Sequence, residues 1–223
     1  MSSRERILDA AMEMFARYGY RRASMDQVAE AAGLTRQAVY HHFQNKEALF
    51  RAAVEALHDG ALEAAIAAGK AAEDAGQSLA DVLAVQVDAK TRYVVECMDE
   101  TAHMEELLSQ RHLQAGDLNQ RVHEQIIALE VATTERMLEQ QGLALRDGLS
   151  ALDLATSIQF ALRGDNELKL DLTMLDEIKR VVRLIVLGAI SPESSTSRPA
   201  RKSPVRKSPG PRQLPSRKSR SSR

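Results

Sequence analysis

Within the seven residues from Arg36 to His42, an arginine, a glutamine, a tyrosine and two histidines surround the small Ala38. Arginine pairs with guanine and glutamine with adenine through two parallel hydrogen bonds in a DNA major groove, and tyrosine and histidine suit phosphate oxygens. The same residues would also be ordinary on the solvated face of a small helical bundle. A second chemistry is written in two Glu-x-x-His pairs, Glu55 with His58 and Glu100 with His103. That spacing sets a carboxylate and an imidazole on one helical face, as in di-iron bundles. Such a site needs two further inward glutamates, and no pattern identifies them, so a helical metal-carboxylate enzyme is kept only as the alternative. The one cysteine, Cys97, lies in an apolar-periodic helix and is expected to pack as a small buried residue. It cannot form an internal disulfide, which fits a reducing, cytoplasmic setting. With no Gly-rich phosphate loop and no nucleophile elbow, neither an enzyme nor a cofactor is expected.

The elements that must position Arg36 to His42 are short and well capped. A first helix is expected from about Ser3 to Tyr18, with Ile7, Ala11, Met14 and Phe15 on one face and Gly19 as its stop. Ser24 and Gln27 form a capping-box pattern for a second helix ending near Gly33. Thr35 caps a third through about His42, and Asn45 caps a fourth that is either long or broken at Gly60 or Gly69. Further helices are expected at 78–98, 101–112, 117–141, 150–163 and 173–190, and no convincing strand alternation is present. The fold class is all-α, with a three-helix helix-turn-helix domain at residues 1–50. A larger helical domain follows at 51–190.

Residues 191–223 differ in composition. They hold all six prolines and two copies of Arg-Lys-Ser-Pro, and they read as a disordered basic tail. Charge divides the same way: the balance is +2 over 1–51, −12 over 52–190 and +9 over 191–223. An anionic polymer would therefore meet the ends of the chain. No run approaches the ~18 apolar residues of a membrane span, so no membrane partner is expected.

The stretch from Ile7 to Phe50 closely resembles the N-terminal domain of the TetR family of bacterial transcriptional regulators. The resemblance rests on Phe15, Gly19, Ser24, Val28-Ala29, Gly33, Tyr40-x-x-Phe43 and Asn45-Lys46-Glu47. It implies a cytoplasmic, homodimeric repressor that binds a palindromic double-stranded operator and is released by a small-molecule effector. It implies DNA contacts from Thr35, Arg36, Gln37, Ala38, Tyr40, His41 and His42 of the recognition helix. It further implies contacts from Ser24 and Met25 at the preceding helix start, and from Lys46. Arg36 and Gln37 are the expected base readers. Asp26, acidic and close to that surface, is expected to serve its own helix N-terminus.

For the helical body the resemblance is one of architecture, and the effector has to be sought in the residues. Tyr93, Cys97, Met98, Thr101, His103 and Met104 cluster in two adjoining segments, and Phe160 is placed to face them, which makes a candidate effector pocket against a background of plain core packing. The helices at 151–163 and 173–190 carry more apolar face than a small body needs. Leu152, Ile158, Ile178, Val182 and Ile185 are therefore the expected homodimer interface, as a four-helix bundle.

Overall fold

The computed structural model of the protein describes residues 1–98, 103, 106, 107, 110, 116–162 and 174–192. Among them are eight helices: α1 (Ser3–Arg22), α2 (Met25–Ala31), α3 (Arg36–His42), α4 (Lys46–Asp74), α5 (Leu79–Met98), α6 (Gly116–Gln141), α7 (Ala151–Leu162) and α8 (Leu175–Ala189). Two short strands, β1 (Leu143–Leu145) and β2 (Ile190–Pro192), complete the described elements. The segment 101–112 expected as a helix, and the tail beyond Pro192, fall mostly or wholly outside the described residues. Met1–Glu193 form one compact unit.

Local chemistry explains the starts. Ser2 with Glu5 and Ser24 with Gln27 both close full capping boxes. The Thr35 hydroxyl accepts from the Ala38 N–H, and the Asn45 side chain from the Ala48 N–H. Gly19 interrupts α1 as expected, at φ 78°, but the chain resumes a helical turn to Arg22. Gly33 takes φ 63° between α2 and α3, the left-handed bend that a side chain would strain. α4 is continuous through both Gly60 and Gly69. These glycines serve close packing instead: a Cβ at Gly60 would collide with the Tyr93 hydroxyl, and one at Gly69 with the Gln86 amide.

The helical architecture carries one addition that the sequence pattern did not show. β1 and β2 pair antiparallel, with Leu143 opposite Pro192, Ala144 opposite Ser191 and Leu145 opposite Ile190. Ser191 and Pro192 therefore belong to a paired strand and not to a tail.

Two apolar cores fill the unit. The first joins α1, α2, α3 and the start of α4 around Phe15, Phe50, Ile7, Leu49 and Val39, and extends to Leu107 and Leu118. Phe50 meets Phe15 edge-on at 5.2 Å and Tyr20 at 4.9 Å, the arrangement that aromatic quadrupoles favour. The second lies among α5, α6, α7 and α8, around Leu79, Leu83, Met137, Ile158, Val182 and Val186. Residue 50, the expected end of the head, lies inside α4, and the head core runs past it to Ala53, Val54 and Leu57.

Candidate nucleic-acid interface and the helical body behind it

On α3 only Val39 is buried, against the head core. Thr35, Arg36, Gln37, Tyr40, His41 and His42 are exposed, and Ala38 is half-buried among them. The recognition residues expected from sequence thus share one solvent-facing surface, which a major groove is wide enough to admit. Arg36 is not free on it. Its Nη1 donates to Asp26 Oδ2 at 3.0 Å, its Nη2 reaches the Tyr40 hydroxyl at 3.5 Å, and the guanidinium carbon lies 5.2 Å from the Tyr40 ring centre. Asp26 therefore pairs across the helix-turn-helix instead of serving only its own helix. Sequence reading missed this partner because the two residues are ten positions apart on different helices.

Two expected contacts need correction. Met25 is buried in the head core, where its side chain has little surface to offer DNA. Lys46 does not point outward from the start of α4. Its Nζ donates to the carbonyls of Tyr20, Arg21 and Ala23 at 2.9, 3.1 and 3.1 Å and sits 4.6 Å from the Tyr20 ring centre. All three ammonium donors are engaged at the negative end of α1. The Ser24 hydroxyl is engaged in its capping box and is half-buried.

Among the described residues of the expected effector pocket, Tyr93 and Cys97 come together, and Phe160 stands apart on the surface. Tyr93 packs against the head core and Gly60, with Cys97 beside it. Cys97 is exposed, so the expectation of a buried thiol is corrected. His103 lies near Glu106, whose carboxylate accepts from the Arg21 N–H at 2.8 Å and abuts Gly19 at the seam with the head. Phe160, on α7, is 79% exposed and faces away from the body's interior. Thr101 and Met104, and the side chain of Met98, lie outside the described residues.

The body instead buries a polar group that the sequence did not single out. Glu130 is 2% exposed on α6 and accepts from the Gln159 amide of α7 at 2.5 Å, while its second oxygen has no hydrogen-bond partner. Burial pushes its carboxyl up to about 7, although the Lys90 ammonium and Gln159 favour the charged form. Burial likewise holds the Lys90 ammonium below its ordinary range, with Glu130 opposing. One turn before Lys90, buried Gln86 donates to Thr133 at 3.1 Å and leaves its own carbonyl oxygen unpartnered. Gln159 also lines an open groove of about 470 Å³ between α6 and α7, with His123, Thr156, Ser157 and Phe160. One sequence signal existed: Glu130, Thr133, Thr134 and Met137 occupy successive positions of one buried α6 stripe, where apolar residues are expected.

Two of the expected interface residues also need correction. Ile158 and Val182 have no exposed surface and belong to the body's own core. Ile178 and Ile185 pack against that same core. Leu152 is 54% exposed, and with it Phe160 on α7, Leu184 (65%) and Leu187 (57%) on α8 present apolar side chains to solvent. For the metal alternative, Glu55 faces Arg121 at 3.9 Å and Glu100 lies outside the described residues. Among the described residues no group of three or more His, Cys, Asp or Glu side chains is arranged to hold a metal ion. No described helix is long and apolar enough to cross a membrane.

Comparison with known proteins agrees with the geometry of the head. Residues 7–53 match the family described as bacterial regulatory proteins, tetR family. The HTH-type transcriptional repressor Rv1474c of Mycobacterium tuberculosis is 47% identical over 47 residues, which are 21% of this chain and 25% of that protein. The chain thus spans about a quarter of the length of the curated relatives it matches. A solved transcriptional regulator from Rhodococcus sp. superposes on 84% of this chain and 98% of its own, at TM-score 0.57 and 21% identity. SmeT, the repressor of the Stenotrophomonas maltophilia multidrug efflux pump SmeDEF, superposes on 86% of this chain and 92% of its own, at TM-score 0.54 and 21% identity. Residues 7–53 are thus similar to the tetR family of bacterial regulatory proteins, and the helical body behind them shares its fold with solved transcriptional regulators.

Proposed function

We propose that the protein is a sequence-specific transcriptional repressor whose homodimer binds a palindromic DNA operator and is released by a small molecule. The observation that carries this reading is the exposed face of α3, Arg36, Gln37, Tyr40, His41 and His42, on a head matched over residues 7–53. Arg36 and Gln37 read bases, and Tyr40 and His42 hold phosphates and set register. A dimer would set two such helices in successive major grooves, about 34–36 Å apart. The apolar strip Leu152, Phe160, Leu184 and Leu187 is the favoured interface, because these side chains are the ones left uncovered on α7 and α8.

The effector would bind in the body, in the groove lined by His123, Thr156, Ser157 and Gln159, where Gln159 leads to Glu130. A groove in the size range of small-molecule sites, floored by a glutamine that reaches a buried carboxylate, supports that placement. The effector acts by binding more tightly to a body conformation in which the two heads no longer match the groove spacing. Residues 193–223 would add sequence-independent attraction to phosphates through their basic side chains.

The purified full chain, incubated with a pool of random duplexes, should enrich an inverted repeat with half-sites one helical turn apart. Enrichment of no sequence would overturn the reading, and enrichment of an isolated half-site would overturn its dimeric part.

A further inference from the structure

The geometry points to Asp26 as a positioning residue that sets the base preference of Arg36. The inference rests on the proposed role of Arg36 as a base reader. A guanidinium has five N–H donors in one plane. Asp26 Oδ2 takes one on Nη1 at 3.0 Å, and the Tyr40 hydroxyl faces Nη2 at 3.5 Å. Three donors remain, enough for the two that a guanine O6/N7 contact requires. The Tyr40 ring flanks the guanidinium at 5.2 Å and limits its swing along α3. Arg36 is therefore engaged from α2 and from α3 before any base arrives. An unheld arginine would have to lose its rotamer freedom on binding.

The pair is poorly explained as a stabilising device. The side chains of Arg36 and Asp26 are 62% and 60% exposed, and an ion pair so open changes the folding equilibrium by at most about fivefold. A carboxylate on a DNA-facing surface also repels phosphates. Its presence opposes affinity for any duplex, and its charge is locally answered by Arg36 alone among the contacts of Asp26 described. The arrangement thus gives up general affinity for a fixed arginine, a signature of specificity rather than of strength.

The test is a cycle of Asp26→Asn, Arg36→Ala and the double variant in the full-length chain. Binding is read on the duplex enriched by the wild type, on its single-base variants and on random duplex. Arg36→Ala should abolish preference at one position of each half-site, a loss of roughly five- to 150-fold for one bidentate contact. Asp26→Asn should weaken preference at that same position by roughly three- to tenfold, and bind random duplex more tightly. In the Arg36→Ala background, Asp26→Asn should cause no further loss of preference while still raising affinity for random duplex. Unchanged preference in Asp26→Asn would overturn the inference and leave the Arg36 reading standing. So would an equal loss with and without Arg36, since Asp26 would then act through the fold. If Arg36→Ala changes no preference, the Arg36 reading fails and the inference with it. Equal melting temperatures of wild type and Asp26→Asn exclude a folding defect as the cause.

Discussion

Around Phe15 and Phe50 every buried side chain described is apolar, whereas around Glu130 the interior also holds Gln86, Thr133, Thr134 and Gln159. All five buried polar side chains of the described residues belong to the body and none to the head. A dry core fixes one packing, because each aromatic face has its neighbour and few alternatives of similar energy exist. A core with two unpartnered acceptors is incompletely satisfied, and any group that brings donors to it gains the bonds that are missing. The contrast matches the two tasks proposed: a head that must hold a surface constant, and a body that must respond.

The comparison can be broken most severely in the head. Phe50→Ala should cost about 3–5 kcal/mol of stability, as expected for an aromatic removed from a well-packed core, read as a shifted denaturant midpoint. A loss below about 1 kcal/mol would show that the head core is loose. Placing a charge on the body's own core, by Val182→Glu, should unfold the body and not merely separate protomers. Phe160→Glu, on the exposed strip, should keep the melting behaviour of the monomer and lower the sedimenting mass to that of one chain. A dimer unaffected by Phe160→Glu would remove that strip as the interface.

The body is tested through pH. The folded Glu130 carboxyl is raised to about 7 from an ordinary 4.5. Between those values the folded state holds a proton that the unfolded state has released, so stability falls as pH rises from about 4.5 through 7. The ceiling on this loss is about 3 kcal/mol, with the opposing pull of Lys90 already contained in the raised value. Glu130→Gln should flatten the profile in that window. The lowered carboxyls of Asp81, Asp117, Asp153 and Asp176 act in the opposite sense and at lower pH, where their stabilising charge is lost on acidification. An undiminished slope in Glu130→Gln would show that another group carries it. The smallest effect is expected at Lys46. Lys46→Ala should cost about 1–2 kcal/mol through the α1 terminus and leave the salt dependence of DNA binding unaltered. A flatter salt slope would return Lys46 to the phosphates.

Much of the head was legible because its signals are local. Ser24 and Gln27, Thr35, Asn45 and Gly33 each act within three or four residues, and each does in the fold what its spacing predicted. What was illegible depends on distant partners. Lys46 finds the end of α1 more than twenty residues away, and nothing near it in sequence distinguishes that role from a phosphate contact. The apolar stripe of α8 announces that Val182 is covered but not by which neighbour, and the cover is the chain's own α5 and α7. Glu130 and Gln159 carry side chains whose ordinary place is the surface, so their burial shows only when α6 and α7 are brought together. The strands have three residues each, too few for an alternation to register, and exist because Leu143–Leu145 meets Ile190–Pro192.

The glycines of α4 set how the helix seats on α5. Gly60 and Gly69 stand nine residues apart, about 13 Å along the helix, and each is a notch into which α5 presses a peg: Tyr93 in one, Gln86 in the other. A side chain at either glycine would overlap its peg, so the two notches set the register in which α4 and α5 pack. The contact is therefore indexed like a key in its slots: the spacing of the two pegs matches the spacing of the two notches in one register.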